Sequence, residues 1–414
     1  MSGAAALDSG YAWARLAACL AIGTLGGAGM WCVVVVIPVV QAEFAASRAD
    51  VASAYTALML GFCAGGIAMG RVVDTKGAPV AIAASAVLLG AGFALAGSAP
   101  TLTVFALAHG LLIGLGSAAT FAPLVADISH WFVRRRGIAI AICASGNYLA
   151  GAIWPPAVEL LMRDWGWRTA YITIGLACVA AMLPLALALR RKAPSAAAAA
   201  QAAATQSGFY RPPPLEARPL GLSPGALMAL LAVAGLGCCV AMSTPQVHIV
   251  ALCADLGFGV ARGAEMLSLM LGFGIVSRVA SGWIADRVGG VKTLLLGSTL
   301  QGVALVLYAV SDSLVSLYIV SALFGLFQGG IVPSYALIVR EYFPAEGSAT
   351  RVSIAVSATI IGMALGGWMG GVMFDLTGSY KAAFVNGIAW NVLNSAIAWW
   401  LLIRQSGRLT PRAA

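Results

Sequence analysis

A single arginine, Arg278, interrupts the apolar run that begins at Leu269. No acidic residue lies within one helical turn of it in the sequence. An arginine near the centre of a bilayer costs about 3 kcal/mol on insertion scales, so it survives where it faces protein or water and has a partner. A guanidinium binds a carboxylate through two parallel hydrogen bonds. The sequence therefore predicts that Arg278 binds an anionic substrate. The alternative is a structural arginine bonded to backbone carbonyls.

Four titratable side chains inside or near apolar segments could carry a proton: His109, Asp127, Glu159 and His248. Asp127 and Glu159 lie towards the ends of their segments, where solvation is expected. His248 is a proton-coupling candidate, although a lone histidine in that position is often a hydrogen-bonded packing residue. Asp127 is the second candidate. The substrate could also enter together with its proton, and the sequence does not decide between these routes.

Several polar or aromatic side chains at the middle of apolar segments could complete a binding site. The amides of Asn147 and Gln328 can bond a hydroxyl or keto oxygen. Tyr148, Phe121 and Phe327 lie at similar depth. Packing and helix–helix hydrogen bonds are the alternative role for all five residues. We find no phosphate-binding loop, no His-Glu-x-x-His and no nucleophile elbow, so we expect no cofactor, no metal and no enzyme activity.

The composition indicates a polytopic membrane protein. Hydrophobic residues make up 61% of the 414 residues and charged residues only 9%, whereas soluble domains carry about 25% charged residues. A spanning helix needs roughly 20 apolar residues. We predict an all-α membrane protein with twelve spans in the following segments: 14–40, 50–70, 79–99, 101–126, 137–160, 169–189, 225–253, 262–282, 291–310, 314–339, 350–373 and 383–403.

The distribution of basic residues predicts the orientation in the membrane. Most of the 24 lysines and arginines fall on one set of loops when both termini are placed in the cytoplasm, as the positive-inside rule requires. The net charge of +9 is therefore a topology signal and not a nucleic-acid signal. Residues 1–12 lack a basic n-region, so no cleavable signal is expected. The eight cysteines lack metal or disulfide spacing.

The chain contains an internal duplication. A Gly-x-x-x-Asp element closes two apolar helices about 210 residues apart, and its glycines permit a tight turn. We predict an N-terminal six-helix bundle at 1–189, a cytoplasmic linker at 190–223 and a C-terminal six-helix bundle at 224–414, with a site between the repeats. The turns are interpreted as conformational latches or topological anchors. Their residues are Gly70, Asp74, Gly77, Gly282, Asp286, Arg287 and Gly289.

These two turns resemble the signature of the major facilitator superfamily, and the resemblance covers nearly the whole chain. A narrower resemblance is to the monocarboxylate transporter family and its bacterial relatives, near the oxalate/formate antiporter group. Asp8–Trp13 resembles that family's sequence at the start of helix 1. Trp131–Ala139, continued by Ser145-Gly146, resembles its helix 5 signature. The resemblance implies that Arg278 is the substrate arginine of helix 8.

The chain departs from that family in three places. Many animal members carry an acidic residue one turn before the helix 8 arginine, where this chain has Gly274. Many also have a lysine late in helix 1, where this chain has Met30–Cys32. The second basic residue of the oxalate/formate branch, in helix 11, is missing. One cation favours a monocarboxylate over a dicarboxylate.

Together these features predict a secondary active transporter that moves a small monocarboxylate or similar organic anion by alternating access, with a proton. The alternatives are an organic-anion exchanger and a proton-driven drug exporter of the same fold. Against the exporter, helix 4 has no arginine and helix 5 lacks a Gly-Pro-rich element. A functional monomer in a bacterial inner membrane is expected, with the lipid bilayer, the anion and the proton as its partners.

Overall fold

The structure is a computed structural model that describes residues 7–132, 135–191, 219–344 and 347–409. Within these ranges the chain is helical apart from short turns, and no strand occurs. Most of the predicted linker lies outside the described residues, including its alanine-rich run and Pro212–Pro214. Arg134 of the helix 5 signature lies outside them as well. The all-α prediction is confirmed.

Twelve helical segments can be distinguished in the described chain, and each coincides with one of the predicted spans to within two residues at the ends where the span extends past the helix. α5 and α6 form one continuous run that is divided at Gly166, where the backbone has φ 77°. The segments are α1 Gly10–Phe44, α2 Arg48–Lys76, α3 Ala78–Gly97, α4 Leu102–Ser129, α5 and α6 within Gly137–Ala188, α7 Pro224–Asp255, α8 Val260–Val288, α9 Gly290–Val310, α10 Leu314–Tyr342, α11 Ser348–Thr377 and α12 Tyr380–Leu409.

Among the described residues, ten helices are long and apolar enough to cross a membrane. One of the ten, Gly137–Ala188, contains two predicted spans, and α12 is not among the ten. Hydropathy and length thus support a multi-pass membrane protein, because in hydrocarbon a helix satisfies all its backbone hydrogen bonds internally.

The described chain forms two compact units. The first contains α1 to α6 together with Ile249–Gly272, which is the end of α7 and the start of α8. The second contains α7 up to His248 and the chain from Phe273 onward. In the first unit, Arg48 Nη2 donates to both carboxylate oxygens of Asp255, at 3.0 and 3.1 Å. The end of α7 is thereby tied to the start of α2.

α4 and α10 are both broken near their middle. α4 contains a π-helical turn at His109–Gly114 and then a non-helical Phe121, with φ −121° and ψ −89°. α10 is interrupted at Gly329 and Gly330. A proline follows each break by two or three residues, and its missing N–H stops the preceding turn from continuing. Such breaks free backbone carbonyls for other partners inside a membrane protein.

The turns between α2 and α3 and between α8 and α9 have the same backbone geometry. Gly77 has φ 89° and ψ 162°, and Gly289 has φ 86° and ψ 167°. This region of backbone space is essentially restricted to glycine. The two copies of the sequence element therefore fold alike.

The glycines at every fourth position of α11 pack directly against α7. A Cβ atom at Gly362 would collide with the carbonyl oxygen of Leu236, and one at Gly366 would collide with Val240 O and Ser243 Oγ. Small residues at this spacing let two helix backbones approach closely. The sequence interpretation of close helix packing is therefore confirmed for this face.

We predict that Gly366→Ala destabilises the protein by about 1–3 kcal/mol, because overpacking forces the α7 backbone to shift. The matched control is Gly272→Ala in α8, where a Cβ would have no neighbour within 4 Å. Thermal unfolding in detergent measures both effects. Equal melting temperatures for the two variants would contradict the close packing of α11 on α7.

Candidate functional site

Arg278 lies in α8, is half-buried, and contacts the break in α10. Its Nε donates to the carbonyl oxygen of Gly329 at 3.4 Å. The preceding residue, Ser277, is 3% exposed, and its Oγ accepts a hydrogen bond from Gly329 N at 3.0 Å. These two bonds fix α8 against α10 and orient the guanidinium.

Gly274 has a packing role at this contact. A Cβ at Gly329 would collide with the carbonyl oxygen of Gly274 and would come within 2.9 Å of Arg278 N. The α8 and α10 backbones are therefore as close as glycine permits. The place where many animal monocarboxylate transporters carry an acidic residue is occupied here by a backbone contact.

Two of the predicted site residues directly precede the same break. Gln328 is fully buried, and its Oε1 accepts a hydrogen bond from Gln246 Nε2 of α7 at 3.1 Å. Phe327 is half-buried. The second unit therefore brings together Arg278 and Gln328 at one break in α10. Sequence reasoning missed Gln246, although it follows Pro245 in the middle of an apolar helix.

The other predicted residues belong to the first unit. Phe121 and Asn147 both line a small recess. Asn147 Nδ2 contacts Met30 Sδ at 3.7 Å, and its backbone carbonyl accepts from Trp31 Nε1 at 3.0 Å. Tyr148 is 6% exposed and does not line this recess. The remaining lining residues are Gly23, Gly26, Gly27, Met30, Phe62, Ser117 and Thr120.

Asp127 forms a buried ion pair, so the expectation that it is solvated was wrong. Arg15 Nε donates to Asp127 Oδ2 at 2.8 Å, and Arg15 Nη2 donates to Oδ1 at 2.9 Å. The side chains are 1% and 10% exposed. Arg15 Nη1 also donates to the carbonyls of Leu189 and Arg191 at 3.0 and 3.2 Å. The Asp127 carboxylate is therefore surrounded by protein groups at this helix end and is not solvated.

Arg15 is a second cation inside an apolar helix that sequence reasoning overlooked. It lies five residues into α1, one turn after Tyr11, and its guanidinium stacks 4.7 Å from the Trp131 ring centroid. The available signal was its position within the first predicted span, where a charged residue is rare.

The two buried histidines are held by hydrogen bonds. His248 Nε2 lies 2.7 Å from the carbonyl oxygen of Gly367, so it donates, and Nδ1 lies 3.4 Å from the hydroxyl of Tyr380. His109 Nδ1 lies 2.8 Å from the carbonyl oxygen of Phe105, within its own helix. These contacts agree with packing roles. The proton-coupling role of His248 stays a prediction.

The charged residues of the two latch turns lie at the surface of their units, whereas Gly289 is buried. Asp74 and Asp286 are exposed. Arg287 donates to the carbonyl oxygen of Trp283 at 3.0 Å and stacks on its ring. A Cβ at Gly70 or at Gly282 would have no neighbour within 4 Å. Neither of these two glycines is therefore required by packing, whereas Gly77 and Gly289 are required by their positive φ. Their role as a latch stays a prediction.

We predict that Asp127→Asn destabilises the protein by about 3–5 kcal/mol, because the variant leaves Arg15 buried without its counter-ion. The double variant Arg15→Met/Asp127→Leu is expected to recover most of this loss. Glu265→Gln serves as the control, since its pair with Arg262 is about half exposed and such pairs contribute less than about 1 kcal/mol. Thermal unfolding in detergent compares the three. A similar loss in Asp127→Asn and Glu265→Gln would refute the buried pair.

The comparisons with known proteins agree with this architecture. Residues 19–296 and 254–414 match the family model of the Major Facilitator Superfamily. The chain therefore belongs to the major facilitator superfamily, and it is a membrane transporter rather than an enzyme.

Within that superfamily, the chain is similar to curated monocarboxylate transporters. It is 30% identical over 338 residues to monocarboxylate transporter 13 of Bos taurus, which covers 77% of this chain and 73% of the relative. It is 28% identical over 399 residues to monocarboxylate transporter 11 of Homo sapiens, covering 91% and 80%.

Solved structures show the same fold. A bacterial homologue of the human lysosomal transporter Spinster, in an inward-facing and occupied conformation, aligns with a TM-score of 0.67 and 16% identity, covering 96% of this chain and 98% of that one. A point mutant of the nucleoside transporter NupG aligns with a TM-score of 0.69 and 12% identity, covering 93% and 99%. At these identities the likeness concerns the fold alone.

Proposed function

We propose that this transporter moves a small monocarboxylate across the membrane by alternating access, and that Arg278 binds the carboxylate. The observation that carries the proposal is the position of the guanidinium. It is half-buried inside a spanning helix and is oriented by the carbonyl at the α10 break. Charge inside a spanning segment marks substrate and ion pathways in membrane proteins.

The relatives support a carboxylate as the ligand. Their names state monocarboxylate transport, and the matches extend over most of both chains. The guanidinium fork matches the two oxygens of a carboxylate. One such cation in the predicted site suits one carboxylate group, which favours a monocarboxylate over a dicarboxylate.

We propose that the proton crosses together with the substrate. Asp127 is held by Arg15, and both ring nitrogens of His248 lie near protein partners. Protonating Asp127 would weaken its ion pair with Arg15. Protonating His248 would place a charge among its buried hydrogen-bond partners. An acid that enters in its protonated form and keeps the proton on its own carboxyl group, while Arg278 donates hydrogen bonds to the carboxyl oxygens, needs no separate relay.

The remaining parts of the proposal concern the working unit. Two six-helix halves, 1–189 and 224–414, would move relative to each other, joined by the segment 190–223. The two Gly-x-x-x-Asp turns would restrain that motion as latches. Both termini would lie in the cytoplasm of a bacterial cell, and one chain would form the complete pathway.

The test is uptake into liposomes of labelled lactate, pyruvate, acetate and oxalate, with and without an inward proton gradient. We expect gradient-stimulated uptake of a monocarboxylate by the wild type. Arg278→Gln is expected to reduce that uptake at least about 30-fold, because truncating one partner of a buried charge pair costs about 2–5 kcal/mol. Arg262→Gln is the matched control, an exposed arginine in the same helix, and it should transport like the wild type.

Each other outcome changes a defined part of the proposal. Uptake that requires a counter-anion loaded inside the liposomes would retain the site and replace proton symport by anion exchange. Normal transport by Arg278→Gln would make Arg278 structural and would refute the anion site. Protein-free liposomes correct for passive permeation of the protonated acids.

A further inference from the structure

Two glutamines from different helices form a buried amide pair beside the break in α10. Gln246 of α7 is 2% exposed and Gln328 of α10 is 0% exposed. Gln246 Nε2 donates to Gln328 Oε1 at 3.1 Å. Each glutamine thus uses one of its two polar side-chain atoms to bond the other glutamine.

The second polar atom of each amide is unused. Gln246 Oε1 and Gln328 Nε2 are buried and have no hydrogen-bond partner among the described residues. Exchanging the nitrogen and oxygen positions of both amides together would preserve the pair and would again leave one donor and one acceptor. The pair therefore offers one donor and one acceptor under either assignment.

Two unpaired buried polar atoms destabilise the folded protein unless a ligand or a water bonds to them. A buried polar atom without a partner costs about 1–3 kcal/mol, and native proteins contain few of them. A ligand or an ordered water that both accepts and donates a hydrogen bond would remove this cost.

A third buried glutamine in the same unit shows the contrasting case. Gln301 of α9 donates through Nε2 to the carbonyl oxygen of Cys238 at 3.3 Å. Its Oε1 accepts from Asn391 Nδ2 at 3.1 Å. Both polar atoms of Gln301 are engaged by protein, as expected for a structural glutamine, so the unused atoms of the pair are not a general property of this core.

The pair is next to the proposed carboxylate site. Gln328 directly precedes Gly329, whose carbonyl accepts the hydrogen bond from Arg278. The guanidinium and the amide pair therefore contact consecutive residues of α10. The amide pair and the arginine belong to the same unit.

We propose that the Gln246–Gln328 pair is a specificity element that binds a hydroxyl group of the transported monocarboxylate. This inference rests on the proposed function. A hydroxyl donates one hydrogen bond and accepts others, so it satisfies both unused amide atoms. A keto oxygen satisfies only the donor, and a methyl group satisfies neither. Sites built to bond a hydroxyl reject analogues that lack it, because their own polar groups stay unpaired.

The test compares hydroxylated and plain acids of matched size in liposome uptake: lactate against propionate, and 3-hydroxybutyrate against butyrate. For the wild type we expect kcat/KM to be at least about tenfold higher for the hydroxylated member of each pair, with pyruvate between lactate and propionate. In Gln246→Leu/Gln328→Leu the ratio should fall to near one. Both residues are replaced together, because a single change would leave the other amide wholly unpaired.

Gln301→Met is the control, a glutamine replaced in the same core, and its ratio should equal that of the wild type. Equal transport of both members of each pair by the wild type would overturn the inference, and the pair would then hold a structural water only. That comparison needs no variant to fold. A retained ratio in the double variant would overturn it equally.

Failure of the specificity element and failure of the proposed function give different results. If the wild type carries hydroxylated and plain acids equally and Arg278→Gln carries neither, only the amide inference fails. If the wild type carries none of these acids above the protein-free background, the monocarboxylate function fails and the amide inference fails with it.

Discussion

The structure depends on one constraint: inside a bilayer, a polar group must find its partner within the protein. Water satisfies such groups at the surface of a soluble domain, but hydrocarbon cannot. Arg15 meets this demand with a carboxylate and two backbone carbonyls, and Gln301 meets it with Asn391 and the α7 backbone.

The same constraint separates structural polar groups from candidate functional ones. The ion pair of Arg15 with Asp127 and the hydrogen bonds of His248 use these side chains for holding helices together. Arg278 and the amide pair lie instead at the break in α10, where the helix gives up its regular hydrogen bonds. Irregular backbone at membrane depth is tolerated where it is buried in protein or lines a cavity. We therefore propose this break, with Arg278 and the amide pair on it, as the binding site for a small organic anion.

The sequence predicted the helices well because the length of an apolar run reports directly on the thickness of the bilayer. It also predicted the repeated turns, since glycine is required at Gly77 and Gly289 by the backbone itself. It failed where the partner is distant in the chain. Nothing near Asp127 indicates that Arg15, 112 residues earlier, would neutralise it, and nothing near Gln328 indicates Gln246. Hydropathy reports how far a segment is from water, whereas pairing depends on which helices become neighbours.

The most direct test of the central claim is a structure of the protein determined by electron cryomicroscopy with a transported monocarboxylate bound. The account predicts density for the acid with both carboxylate oxygens within about 3 Å of the Arg278 guanidinium, the usual distance of a charge-assisted hydrogen bond. Density for the acid elsewhere, with Arg278 still bonded to the α10 backbone and remote from the ligand, would contradict it.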